Sequence, residues 1–320
     1  MKQISIDIET YSSVNLTKAG VYRYATSDDF QLLLFSYAID EGPVNIVDLT
    51  QGETIPQEII AALTNPEIIK SAFHAQFERV CLSSFLGKQL KPQGWHCSMV
   101  WAATLGLPLS LKGVGAILGL EKQKLEVGKD LVRYFCTPCK PTQANHQRTR
   151  NLPYHDPAKW QQFKQYNQRD VEVEVEINKK LARFPVQDSE WHNYWLDQEI
   201  NDCGIMLDQV LIKNAIACNQ SFRQQHLDES QKLTGLDNPN SPTQLKAWLH
   251  GQGLDIPSLS KADVASALQE ATGDVRKVLL LRQQLSKSSI KKYTAMQTAL
   301  CPDGRVHGLL QFYGANRTGR

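Results

Sequence analysis

The sequence predicts an α/β protein: a mixed sheet with helices on its faces, followed by a mostly α-helical second half. Residues 4–9, Ile-Ser-Ile-Asp-Ile-Glu, alternate apolar and polar with period two, the pattern of a half-buried strand. Strand-like runs concentrate before residue 74, and helical patterns dominate after it. Beyond Pro185 the periodicity is helical almost to the end.

The elements follow in order. Residues 31–39 read as a second, more continuously apolar strand, and 44–49 as a third. Residues 56–63 are helical, 68–73 form another short strand, and 76–85 a helix. From 98 to 133 helical segments are punctuated by Pro108, Gly113, Gly119 and Gly128. Residues 136–157, with four prolines among polar and basic residues, form a loop, and one long helix fills 157–183. Pro185 ends that helix, so a boundary is expected there, giving regions 1–185 and 186–320. The second region holds helices at 189–201, 208–233, 242–251, 261–270 and 274–299. An extended piece lies at 204–208, and residues 304–311 read as a strand.

The chain has 320 residues, which suits two domains or three. With 42% hydrophobic and 21% charged residues it has enough apolar content for real cores, which excludes wholesale disorder. No apolar run approaches the ~20 residues that span a bilayer, and Asp7 and Glu9 interrupt any signal peptide, so a cytoplasmic location without membrane partners is expected. Seven cysteines, odd in number and irregularly spaced, make no disulfide framework. The charge is asymmetric. Residues 1–100 carry 7 Lys/Arg against 11 Asp/Glu, residues 101–150 carry 8 against 3, and residues 275–320 carry 9 against Asp303 alone. Acidic first and basic afterwards suits a metal site beside a polyanion-binding surface; solvated helix faces are the plainer reading.

Asp7 and Glu9 lie two apart on a strand and share a face, while Ile6 and Ile8 point to the core. Paired carboxylates repel unless a cation sits between them, and hard divalent cations favour such oxygen ligands. An Asp-x-Glu alone is more often an exposed polar face. Glu78 follows Phe77 at a helix start. Tyr166 and Asp170 are four apart on the long helix, about a turn from each other.

Asp-x-Glu, then aromatic-acid, then Tyr-x3-Asp resembles the DEDDy 3′→5′ exonucleases, in particular the proofreading domain of family A DNA polymerases. The phage-type branch is indicated by Asp7-Ile8-Glu9-Thr10, by 95–99 (Trp-His-Cys-Ser-Met), and by Lys129-Asp130-Leu131 ahead of Phe135-Cys136. The second region resembles a polymerase thumb at 200–208, at 240–245 (Asn-Ser-Pro-Thr-Gln-Leu), and at Leu281-Arg282, Lys287-Ser288 and Lys292-Tyr293. Gly304-Arg305-Val306-His307 and Thr318-Gly319-Arg320 resemble the start of the palm. The resemblance covers nearly the whole chain and then stops. Later polymerase motifs are absent, so this chain is expected not to polymerise and to be the front part of a larger polymerase, whose remainder could be a separate chain.

The resemblance implies a ribonuclease H-like sheet over 1–185 and a thumb-like DNA-binding region over 186–320. It implies two Mg²⁺ or Mn²⁺ ions held by Asp7, Glu9, Glu78 and Asp170, with Tyr166 orienting the attacking water. The substrate would be a single-stranded DNA 3′ end, the product a 5′-nucleoside monophosphate, and primer-template duplex a further partner. Arg282, Lys287, Lys291, Lys292, Arg317 and Arg320 would contact DNA. Two departures stand out: the family's second motif commonly reads Asn-x-x-Phe-Asp, whereas His74 replaces the Asn and Glu78 the Asp. The longer Glu bears on rate more than on activity.

Other motifs carry less. Cys136-Thr-Pro-Cys139 has metal-ligand spacing, but no second Cys pair exists and two loop thiols are the plainer reading. Gly113, Gly115 and Gly119 lack the leading strand of a dinucleotide fingerprint. The basic stretch 140–150 is a loop within reach of a substrate backbone. Residues 171–176 alternate Val with Glu inside a helical pattern and read as a helix with an acidic side. Two alternatives remain at this level: a nuclease-fold DNA-binding module without turnover, and an RNA-trimming enzyme using the same chemistry.

Overall fold

A computed structural model describes residues 1–120, 125, 127–287, 289–315 and 318. Five strands form one sheet: β1 (Gln3–Tyr11), β2 (Gln31–Ile39), β3 (Val44–Asp48), β4 (Ile69–Ala72) and β5 (Trp95–Cys97), in the order β3-β2-β1-β4-β5. β2 runs antiparallel to β1 and β3, whereas β4 and β5 run parallel to β1 and to each other, so the sheet is mixed as expected. The helices of this part are α1 (Leu16–Ala25), α2 (Gln57–Thr64), α3 (Ala75–Leu86), α4 (Ser98–Thr104), α5 (Leu111–Ile117), α6 (Gly128–Phe135), α7 (Pro157–Leu181) and α8 (Asp188–Cys203). Gly113 and Gly115 fall inside α5. The loop between α6 and α7 contains only two short 3-10 turns, Gln143–Asn145 and Pro153–His155.

The two faces of β1 explain the layering. Ile4, Ile6 and Ile8 enter one apolar core with Val21 and Tyr24 of α1 and Cys81 and Leu82 of α3. Tyr11, on the other face, joins Phe135 of α6 and Trp160, Phe163 and Tyr166 of α7. The β1–β2 register slips after Glu9: Glu9 pairs with Leu34, but Thr10 pairs with Leu32. The extra residue, Leu33, packs with Leu34 on the α7 side, so the bulge keeps both strands' apolar sets facing their cores.

The chain divides into two units: residues 1–206 with 299–320, and residues 207–298. α7 stops at Leu181, capped by the Ala182 N–H on the Asn178 carbonyl and four residues short of Pro185, and α8 beyond the proline remains in the first unit. Trp191 stacks on His96 at 4.1 Å between ring centroids, and Trp195 Nε1 donates to the Trp95 carbonyl at 2.9 Å. Arg79 of α3, almost wholly buried, forms a two-pronged ion pair with Asp202 of α8 at 2.7 and 2.8 Å. A two-stranded ribbon of β6 (Ile205–Met206) and, near the end of the chain, Arg305–Val306 also belongs to this unit.

The second unit contains α9 (Gln209–Thr234), α10 (Pro242–Gly251), α11 (Lys261–Glu270), α12 (Gly273–Leu285) and α13 (Lys291–Ala299), the last ending at the unit boundary. Its core is aliphatic, built around Leu245, Leu249, Val264, Val278 and Leu279. Two sequence expectations need correction. The helix expected over 274–299 is broken into α12 and α13, because α12 closes on Ser286, whose N–H caps the Arg282 and Gln284 carbonyls. The strand expected over 304–311 is β7 (Arg305–Val306) alone, since its partner β6 offers only two residues. No described helix is long and apolar enough to cross a membrane.

Candidate active site

The candidate site lies where β1 meets the face of α7. Asp7 and Glu9 project from β1 toward α7, whose Tyr166 and Asp170 are one turn apart, and α3 contributes Glu78 from its first turn. Their charges act on one another. Burial drives the Tyr166 hydroxyl pKa far up, and the charges of Asp170, Glu9 and Asp7 push it further, so it stays a neutral O–H at every physiological pH. Burial likewise raises the Glu78 carboxyl well above the usual carboxylate range, with Asp7, Glu174 and Glu9 adding repulsion. Glu78 Oε2 is buried and has no hydrogen-bond partner.

Several supporting residues were not evident from the sequence. Asn167 Nδ2 donates to Asp7 Oδ2 while its Oδ1 accepts from Ser36 of β2, so the sheet and α7 together fix the Asp7 rotamer. Glu174, one turn beyond Asp170, is buried and accepts from Ser71 Oγ at 2.7 Å and Ser98 Oγ at 3.1 Å. Burial lifts its carboxyl to about 7, against the opposing effect of those hydrogen bonds. The acidic side expected over 171–176 is therefore partly interior. Cys136 Sγ approaches Glu9 Oε2 at 3.7 Å, and its thiol is pushed up by burial and by Glu9. Cys139 Sγ stands near Asn145 Nδ2 at 3.8 Å.

Gly128, the first residue of α6, is pressed flat against Tyr166. A β-carbon there would stand 2.1 Å from Tyr166 Cε2, far inside contact distance. Phe163 stacks parallel to Tyr166, with centroids 6.1 Å apart, and so holds the ring from its own helix. The sequence shows Gly128 only as punctuation. His74 precedes α3 in the left-handed region, at φ 82° and ψ 45°. Asn and His are among the few non-glycine residues that tolerate this conformation, which gives a backbone reason for either residue at this position.

Chemically, the donors are carboxylate oxygens and one hydroxyl, a set suited to a hard divalent cation rather than a soft one. A buried carboxylate oxygen without a hydrogen-bond partner fits a cation neighbour. In the conformation described, no three His, Cys, Asp or Glu side chains among the described residues converge closely enough to enclose an ion.

Of the residues expected to touch DNA, Lys287, Lys291 and Lys292 are exposed around the start of α13 in the second unit. Arg282 is half-buried and donates to Asn240 Oδ1 at 2.5 Å, an internal contact. Arg317 and Arg320 lie outside the described residues.

Along its whole length the chain is 54% identical to the DNA polymerase of Bacillus phage SP02, and it spans half of that protein. No family model matches the chain. Among solved structures, the polymerase domain of Pol1 from M. smegmatis, in complex with DNA primer-template and dNTP, aligns with a TM-score of 0.53. That match has 16% identity and covers 95% of this chain and 47% of that one, a likeness of fold. Escherichia coli RNase D aligns with a TM-score of 0.37 and 14% identity, covering 99% of this chain and 76% of the other.

Proposed function

The chain is homologous throughout to one half of a phage DNA polymerase, and from that premise we propose that it carries the 3′→5′ exonuclease of such an enzyme. The fold is a ribonuclease H-like mixed sheet joined to a helical, thumb-like unit. The observation that supports the proposal is that Asp7, Glu9, Glu78, Tyr166 and Asp170 act on one another electrostatically where α3 and α7 pack on β1, with a buried Glu78 oxygen lacking any hydrogen-bond partner.

Asp7, Glu9 and Asp170 would hold one divalent ion, and Asp7 and Glu78 the other. Such ions would supply the charge that lowers the pKa of an attacking water and stabilises the leaving oxygen of a phosphodiester. The chain's own groups do the rest. Asn167 holds Asp7 in one rotamer, and Tyr166, always protonated, presents a hydroxyl that orients the water. Glu174, with its raised pKa, is largely uncharged below pH 7, which limits the negative charge massed behind Asp170. The substrate is a single-stranded 3′ end and the product a 5′-nucleoside monophosphate. Lys287, Lys291 and Lys292 bind the phosphate backbone of the DNA that delivers that end.

Digestion of a 5′-labelled single-stranded DNA with Mg²⁺ or Mn²⁺ tests this reading. The expected result is a ladder shortening from the 3′ end, lost with EDTA and in Asp7→Ala and Asp170→Ala proteins that still fold. A ladder that persists in either variant refutes the ligand assignment. Binding without cleavage under both metals would make the chain a nuclease-fold binding module. Faster trimming of a matched RNA would move the substrate class to RNA.

A further inference from the structure

A cavity of about 920 Å³ lies on the first unit, and none of the candidate carboxylates lines it. It opens between the turn that enters β4 and residues 88–93, which join α3 to β5, with the end of α8 as its remaining wall. Its size is that of a small-molecule site. Three lysines line it, Lys70, Lys88 and Lys91. Lys70 is 1% exposed, whereas the other two stand in solvent at the rim. Among the described residues no carboxylate lies within ion-pair distance of any of the three.

Part of what Lys70 does is structural. Its ammonium donates to the Asn65 carbonyl at 2.7 Å and to the Gln93 carbonyl at 3.4 Å, tying the turn before β4 to the segment before β5. Gly94 lets these segments close over it, since a β-carbon there would stand 2.7 Å from Lys70 Nζ and 2.5 Å from the Pro66 carbonyl oxygen. Such a staple needs hydrogen bonds but no charge. An ammonium has three donors, and the carbonyls occupy two of them. Buried charges are ordinarily paired, because carbonyl dipoles recover only part of the lost hydration. Burial pulls the Lys70 pKa down to about 8, so the group is still mostly cationic at pH 7.

The two acids on the wall do not supply the missing anion. Asp202 is taken up by Arg79 at 2.7 and 2.8 Å, and Glu199 accepts from Gln93 Nε2 at 2.5 Å. The cavity is left with three cations against the one uncompensated charge of Glu199. That excess matches a dianion of the phosphate type. We propose that this cavity binds the phosphate group of a small molecule, with Lys70 as the buried anchor and Lys88 and Lys91 meeting it from the rim. The site stands apart from the carboxylate row and does not depend on the exonuclease reading.

The test is isothermal titration of the full chain with inorganic phosphate, in EDTA and at constant ionic strength held with chloride. The expected result is saturable binding of one phosphate per chain, with a Tm that rises on saturation. Lys70→Gln, whose amide can still donate to a carbonyl, should weaken binding by about thirtyfold, the loss of a buried charge partner. The double change Lys88→Ala, Lys91→Ala alters only exposed side chains and should weaken it about tenfold. If Lys70→Gln does not fold, the double variant decides. Uptake that never saturates, or an affinity unchanged in the double variant, overturns the site. Competition by an oligothymidylate that binds these lysines more tightly than phosphate does would assign them to a nucleic-acid backbone and also overturn it.

Discussion

The two units bury different things. In residues 1–206 and 299–320 the interior holds Glu9, Asp48, Lys70, Glu78, Arg79, Asp170 and Glu174 alongside the apolar core. Among the described residues of 207–298, Ser230 is the one buried polar side chain. A buried charge is unfavourable unless it is paired, hydrogen-bonded or neutralised. Arg79 meets that requirement through Asp202, and Glu174 through two serine hydroxyls and a raised pKa. Glu78 meets it with nothing the protein supplies to its Oε2. The first unit therefore keeps its chemistry inside, held at a cost in stability, whereas the second keeps its charge on the surface, where salt can screen it.

Substitutions should separate the two regimes. The largest effect short of removing a ligand is expected at Gly128. Gly128→Ala must move the Tyr166 ring, and a displacement of about 1 Å near reacting groups lowers the rate by ~100-fold. Tyr166→Phe removes one hydroxyl without moving its neighbours and should slow cleavage about tenfold, the loss of one hydrogen bond to a charged group. Single-turnover rates on one oligonucleotide compare the pair. If Gly128→Ala is the milder change, Tyr166 is not held by that contact.

In the second unit the triple change Lys287→Ala, Lys291→Ala, Lys292→Ala should leave the single-turnover rate on a short oligonucleotide intact. It should reduce the slope of log affinity for longer DNA against log salt by about 2. Titrations between low and moderate salt read this directly, and an unchanged slope would remove the lysines from the interface.

The smallest effect concerns stability. The folded-state pKa values of Glu78 and Glu174 lie above their ordinary range, so both bind protons more tightly folded than unfolded. Stability is therefore lost as pH rises from the ordinary carboxylate range, with the Glu174 part complete just above 7. In EDTA, Tm should fall by a few degrees between pH 5 and pH 8. Glu174→Gln, neutral at every pH, should flatten its share of that fall, and added Mg²⁺ should raise Tm most at the upper end. A Tm that climbs from pH 5 to pH 8 in EDTA would contradict the direction of both shifts.

Much of this molecule is legible in its residues. Period-two alternation fixes β1 and which of its side chains face α7, and the four-residue spacing of Tyr166 and Asp170 puts both on one helical face. Helices α10 and α11 fall where their patterns begin and end, and α7 starts at Pro157 as expected and stops two residues early, at Leu181. β5 is too short, at three residues, to show a period, and α1 is kinked at Gly20, whose φ of 80° breaks the helical pattern. The end of α12 is set by a backbone cap that leaves no mark in composition.

The chemistry of the site, then, is written locally: carboxylates on one strand face and a Tyr–Asp pair one turn apart follow from the repeat lengths of strand and helix. What tertiary structure alone decides is which distant residues complete it. Asn167 on Asp7, Gly128 under Tyr166, Glu174 on two serines and Arg79 on Asp202 are contacts between segments about 40 to 160 positions apart. No local rule encodes them, because each is chosen by the packing of α3, α6, α7 and α8 on one sheet, and packing is sensed only when the chain is folded.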